Sequence, residues 1–248
     1  MTSPDAAGTS GTLVTLAPAP AAPDVLATTG RTCQAVGATV LVLPPLEPAA
    51  AREALAALRE ETDLLVQAAD PALGADLVTV PLGATDALLD EVLAEVARRG
   101  ATPVYEAGSL ADLDVLAGLA HGPGPVRVAL LLGARGGLPG TLASVAACLE
   151  RLPAGALWSA AGRGAAAIPV LLAALSAGGH VRAGTADTPE PGDPARADLQ
   201  LVARAAGLAR IAQRPPLPPF AARDLLLGPP AGPVAPRTAP DPTSVEIR

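Results

Sequence analysis

Eight short apolar runs, separated by segments with helical periodicity, constrain this chain more than any other feature. The runs are TLVTLAP (12–18), ATVLVLP (38–44), DLLVQAA (63–69), DLVTVPL (76–82), TPVYEAG (102–108), VRVALLLG (126–133), ALWSAAG (156–162) and HVRAGTA (180–186). Runs of this length, rich in Val and Leu and without polar alternation, read as strands buried on both faces. Helical patterns fall at 47–62, 84–100, 109–122, 140–152, 163–179 and 193–213. The 84–100 segment opens with Thr85 as a candidate N-cap and stops at Gly100. Parallel strands need crossover connections, and helices supply them. About eight such units in 248 residues predict an α/β fold, a single-domain TIM (β/α)8 barrel. A doubly wound open sheet is the alternative. DPALGA (70–75) is too short for a full helix. The barrel is expected over 12–228, after a flexible N-terminus (1–11) and before a Pro-rich tail (229–248).

The core must come from Leu, Val, Ile and Ala, because the chain has one Trp, one Tyr and one Phe. The net charge is −7, the 17 basic residues are all Arg, and they are scattered. No basic stripe interleaved with aromatics is present, which argues against a nucleic-acid partner. No apolar run has the length of a membrane span, and the N-terminus lacks a basic n-region followed by an apolar stretch. A cytoplasmic protein with no membrane partner is expected. Cys33 and Cys148 show no metal-ligand or redox spacing and read as buried thiols in a reducing compartment.

Polar chemistry gathers in AGGHVRAGTADTPE (177–190), which brings His180, Arg182 and Asp187 to the end of an apolar run. His180 opens the strand and reads as a structural hydrogen-bonding group. Arg182 can hold a carboxylate through a bidentate pair. His121, in AHGPGP, reads as a solvated loop residue. LLLGARGGLPG (130–140) could cradle a phosphate, but its glycines and Pro139 fit turn and helix-start chemistry. Trp158-Ser159 reads as strand-end packing.

LWSAAGRGAAAIPVLLAALSAGGHVRAGTAD (157–187) is similar to the corresponding region of the β-keto acid cleavage enzymes, also known as 3-keto-5-aminohexanoate cleavage enzymes. GRTCQAVGATVLVL (30–43), RRGATPVYEAG (98–108), LLLGARGGLPGTLASV (131–145) and residues 201–228 extend the resemblance in the family's order. It implies a TIM barrel that binds a divalent metal, usually zinc. It also implies acyl transfer between a β-keto acid and acetyl-CoA, giving acetoacetate and a new CoA thioester. On this resemblance Glu106, Arg182 and Asp187 are the candidate catalytic residues, and Thr79 and Arg182 the candidate substrate-binding residues. The family's metal ligands fall at Leu41, Leu43 and Ala186, which carry no donor atoms. No cofactor is therefore expected, and activity should be lost or changed. Leu41 and Leu43 should face the barrel interior, opposite Ala186. The alternatives are a metal-independent acyl-CoA or keto-acid enzyme using Glu106 and Arg182, and a non-catalytic subunit of an intact paralogue. The expected ligand is a small β-keto acid or an acyl-CoA, in a homo-oligomer or a complex with a paralogue.

Overall fold

The computed structural model describes residues 11–119 and 125–228. His121 and the tail at 229–248 lie outside the described residues. In chain order the elements are β1 (Val14–Leu16), α1 (Pro23–Val36), β2 (Val40–Val42), α2 (Pro48–Glu61), β3 (Leu65–Ala68), β4 (Leu77–Pro81), α3 (Asp86–Arg99), β5 (Thr102–Ala107) and α4 (Leu110–Gly118). They continue as β6 (Arg127–Leu132), α5 (Leu142–Leu149), β7 (Leu157–Gly162), α6 (Ala167–Ser176), β8 (His180–Ala183), α7 (Pro194–Ile211) and α8 (Pro219–Leu227). The eight strands form one closed barrel in sequence order. Every neighbouring pair is parallel. Closure is visible at Thr15, which pairs with Val40 on one side and Arg182 on the other. The sequence-based expectation of a TIM barrel therefore holds. The short link between β3 and β4 is a single 3-10 turn at Pro71–Leu73, started by Asp70, whose carboxylate accepts from the Ala72 N–H.

Local chemistry sets the helix ends. Ser109 and Asp112 close a capping box at the start of α4, each side chain bonding the other's backbone N–H. Gly100 ends α3 in the left-handed region at φ 61°, where a side chain would be strained. Two helices were not read from the sequence. One is α1, in which Thr28, Thr29 and Gly30 weaken the helical signal. The other is α8, which lies between a proline run and the tail.

Two apolar layers hold the barrel. The larger lies between sheet and helices and includes Leu16, Leu41, Val66, Val78, Leu130, Leu58 and Leu113. The smaller fills the barrel at the N-terminal ends of the strands, from Leu13, Val40, Leu65, Leu77, Val104 and Ala129. Leu217, Ala222 and Leu226 close that end from α8 and the segment before it. Each fully buried leucine contributes roughly 1.5–3 kcal/mol relative to an exposed one.

The outer layer corrects one expectation. Leu41 does not face the interior. It packs toward α1, where a Cβ added at Gly30 would lie 3.4 Å from its Cδ1. Leu43 has the same parity and belongs to the same helix-facing core, and it also lines the cavity described below. The inward positions of β2 are Val40 and Val42. The reason is pleat parity: successive side chains alternate faces, and Val40 joins the interior cluster. Both faces of this strand are apolar, so its sequence carries no alternation to show which residue points in.

Candidate active site

The C-terminal mouth of the barrel holds a cavity of about 290 Å³. Its walls are mostly hydrocarbon, including Val42, Pro44, Leu46, Ala68 and Ala186. Its polar groups are Asp70, Thr79, Glu106 and Arg182. Active sites of such barrels form at this end, from the loops that follow the strands.

Parity places each polar group. Thr79 on β4, Glu106 on β5 and Arg182 on β8 point inward, whereas their neighbours Val78, Tyr105 and Val181 belong to the helix-facing layer. Arg182 sits between two carboxylates. Its Nη1 donates to Glu106 Oε1 at 2.8 Å. Its Nε and Nη2 donate to Asp187 Oδ2 at 2.8 Å and Oδ1 at 3.2 Å, a bidentate fork. Burial disfavours the guanidinium charge, but Asp187 and Glu106 more than offset this and hold the group above its ordinary range. Asp187 is fully enclosed, in the turn after β8 rather than on the strand, which ends at Ala183. Its backbone is pinned by bonds from its N–H to Gly184 O and from the Gly164 N–H to its own carbonyl.

The three candidate catalytic residues thus meet in one cluster, and Thr79 lies on the same cavity. The Thr79 hydroxyl accepts from Gln67 Nε2 at 2.8 Å. Gln67, a buried amide on the inward face of β3, was missed in the sequence. Its lone polar character within LLVQAA was the available signal. Asp70 was missed as well, because it falls in the irregular link after β3. Ala186 reaches the cavity as expected, but from the turn rather than from β8.

Val42, Pro44 and Ala186 line the cavity and have no donor side chain, and of the carboxylates there Glu106 is paired with Arg182 and Asp70 lies apart in the link after β3. Among the described residues no group of three or more His, Cys, Asp or Glu side chains converges to hold a metal. The residues present do not fit a tetrahedral zinc site of three protein ligands.

His180 occupies the opposite end of the barrel. Its Nδ1 accepts from the Leu13 N–H at 3.1 Å, with Thr12 Oγ1 at 3.4 Å. Trp158 packs over Gly179, where an added Cβ would overlap the indole. In the glycine-rich segment after β6 the Gly133 N–H bonds Leu138 O, and Thr141 caps α5 by accepting from Ser144 N.

An eight-stranded parallel barrel with a basic–acidic cluster at its C-terminal mouth defines a TIM-barrel protein. The chain belongs to the β-keto acid cleavage enzyme family, whose model matches residues 75–227. That stretch includes Thr79, Glu106, Arg182, Ala186 and Asp187, and excludes β1 to β3. Among solved structures, the ternary complex of ObcA with a C4-CoA adduct and oxalate is 15% identical with a TM-score of 0.66. The match covers 84% of this chain and 67% of that one. ObcA in its binary complex with oxaloacetate is 14% identical with a TM-score of 0.64, covering 84% of this chain and 66% of that one. A truncated 3-deoxy-D-arabino-heptulosonate 7-phosphate synthase from Thermotoga maritima is 16% identical with a TM-score of 0.57, covering 84% and 90%. Likeness at these identities shows the shared fold alone. Among the described residues no helix is long and apolar enough to cross a membrane.

Proposed function

We propose that this chain is a small-molecule-binding member of the family that has lost zinc-dependent acyl transfer. In this reading its mouth cavity holds a small β-keto acid by the carboxylate. One observation carries the proposal. Asp187 pins Arg182 along its Nε–Nη2 edge, which aims the Nη1 end at the cavity, where Glu106 is its only partner among the described residues. A guanidinium has five N–H groups, and three are used. An incoming carboxylate can take the remaining hydrogens on Nη1 and Nη2 or displace Glu106. The cavity lies at the lower edge of the usual ligand-site range of roughly 300–1,000 Å³. That suits a keto acid of a few carbons, and a CoA thioester would leave its nucleotide outside. The oxaloacetate-bound form of ObcA, on the same fold, supports this ligand class.

Charge sets a condition. The cluster holds one cation and two carboxylates, so a further carboxylate must be accompanied by a proton or must push Glu106 aside. In the family, zinc would polarise the keto oxygen and stabilise the enolate. Here the walls at that place are hydrocarbon, and no step runs through a metal.

Calorimetry of acetoacetate against its methyl ester tests the reading. The acid should bind and the ester should not. Ala186→Leu, which fills part of the cavity without removing a charge of the cluster, should abolish binding. Release of acetoacetate from a longer β-keto acid and acetyl-CoA, dependent on added zinc, would overturn the proposal. So would equal binding of the ester.

A second reading has its own support. Glu106 engages Arg182 through Oε1, and its Oε2 makes no hydrogen bond among the described residues. That oxygen can take a proton from C2 of a bound keto acid and return it, a metal-free enolisation. Exchange of the C2 protons of acetoacetate into deuterium oxide, lost in Glu106→Gln while binding persists, is the expected signature.

A further inference from the structure

The other end of the barrel carries a second, unrelated arrangement. A small cavity of about 30 Å³ lies inside the strands, beneath the mouth site and above α8. Arg127, His180 and Ser159 line it, together with apolar side chains such as Val40, Leu77 and Val104. Arg127 is the unusual member. It is 3% exposed, in the first inward position of β6. Its Nε donates to Leu226 O at 2.6 Å and its Nη1 to Pro125 O at 3.1 Å. Both partners are neutral carbonyls. Among the described residues no carboxylate pairs with it, and its Nη2 makes no hydrogen bond. Enclosing an uncompensated charge is costly, and proteins almost always supply a counter-charge. Tyr105 does not supply it, since burial pushes its phenol up to about 12 and keeps it neutral.

Arg214 lies outside the cavity wall but near His180, donating to Gly179 O and to Gly11 O. It too has no carboxylate partner among the described residues. Two guanidinium groups therefore raise the potential at this end of a chain whose net charge is −7. The His180 ring is neutral near pH 7, because burial and the Arg214 charge push it down to about 4. Its Nδ1 accepts from Leu13, so its proton sits on Nε2, a donor. Ser159 pairs with His180 across the β7–β8 ladder, is only partly buried, and its hydroxyl makes no hydrogen bond among the described residues.

We propose that this cavity is a binding site for one halide-sized monovalent anion, held by Arg127 with Ser159 and His180 as neutral donors. The volume admits one or two water-sized species and excludes sulfate, phosphate and carboxylates. A bound anion neutralises Arg127 and ties β6 to the carbonyl of Leu226 on α8. The site is independent of the keto-acid reading.

Thermal unfolding in sodium gluconate against sodium bromide, at equal ionic strength, is the test. Bromide and chloride should raise Tm saturably, by roughly 5 °C when in about hundredfold excess over their dissociation constant. Sulfate should not reproduce the saturation. Ser159→Ala should weaken the apparent affinity roughly tenfold. Arg127→Met should abolish the halide response. If Arg127→Met does not fold, Ser159→Ala and anomalous scattering from bromide-grown crystals decide, with a peak expected between Arg127 and Ser159. The proposal is overturned by a halide response equal in all variants, by no response, or by crystals that hold only water there.

Discussion

Replacing Arg182 with Met removes the cation between Glu106 and Asp187 while keeping much of the side-chain volume. The two carboxylates then face each other with nothing between them. The side chains of Arg182, Glu106 and Asp187 are 9%, 20% and 3% exposed, so water screens the cluster little. Breaking a buried pair by deleting one partner costs about 3–5 kcal/mol, mostly from the charge left behind. At roughly 2–4 °C per kcal/mol for a chain of this length, Tm should fall by about 10 °C. The triple variant Arg182→Met, Glu106→Gln, Asp187→Asn removes all three charges. It should recover at least half of the loss, because a neutral set needs no counter-ion. Differential scanning calorimetry or urea unfolding at pH 7 measures both. A single variant within about 1 kcal/mol of the parent would refute the account of the cluster as a mutually dependent buried set. So would a triple variant no more stable than the single one.

Asp198, whose carboxylate accepts from the Thr185 N–H at 2.7 Å, is raised by burial from 3.8 to about 6. Between those values the folded state binds the proton more tightly than the unfolded chain, so this group's contribution to stability is lost as pH rises from about 4 to about 6. The stability of the parent minus that of Asp198→Asn should therefore fall with rising pH across that window, by on the order of 3 kcal/mol. A flat or rising difference in urea titrations would exclude it. Gly179→Ala places a methyl against the Trp158 ring. It should destabilise by about 1–3 kcal/mol and shift the fluorescence of the chain's single Trp; an unchanged spectrum and Tm would count against it. Cys33 and Cys148 are enclosed, and burial pushes their thiols up to about 12 and about 11. Neither should react with a thiol reagent until the chain unfolds, and stoichiometric labelling of the native protein within minutes would contradict this.

The barrel was legible because it is written in repetition. Each strand expected from an apolar run is present, shorter than the run by residues that belong to loops. Glu106, Arg182 and Asp187 were legible as a set because isolated charges in hydrocarbon have few places to go. The facing of β2 was not legible. Its neighbours are apolar on both sides, so Leu41 and Val42 are equivalent by composition and differ only in which layer receives them. The cavity wall after β2 carries no donor side chain in either case, since Val42, Leu43 and Pro44 are all hydrocarbon. Gln67 and Asp70 escaped notice because each stands alone in its segment, and only closure of the barrel brings Gln67 to Thr79.

Pro18, Pro20, Pro44 and Pro45 border one half of the cavity. A proline has a fixed φ and no N–H. At those four positions the loops after β1 and β2 can neither fold over an arriving molecule freely nor offer it a backbone hydrogen. The cavity on that side is a preset mould. Its occupant should meet little cost of loop ordering and dissociate without waiting for a flap to open. Selectivity at those prolines must come from shape, while Asp70 in the link after β3 and Thr79, Glu106 and Arg182 on β4, β5 and β8 supply the side-chain polarity that would orient an occupant.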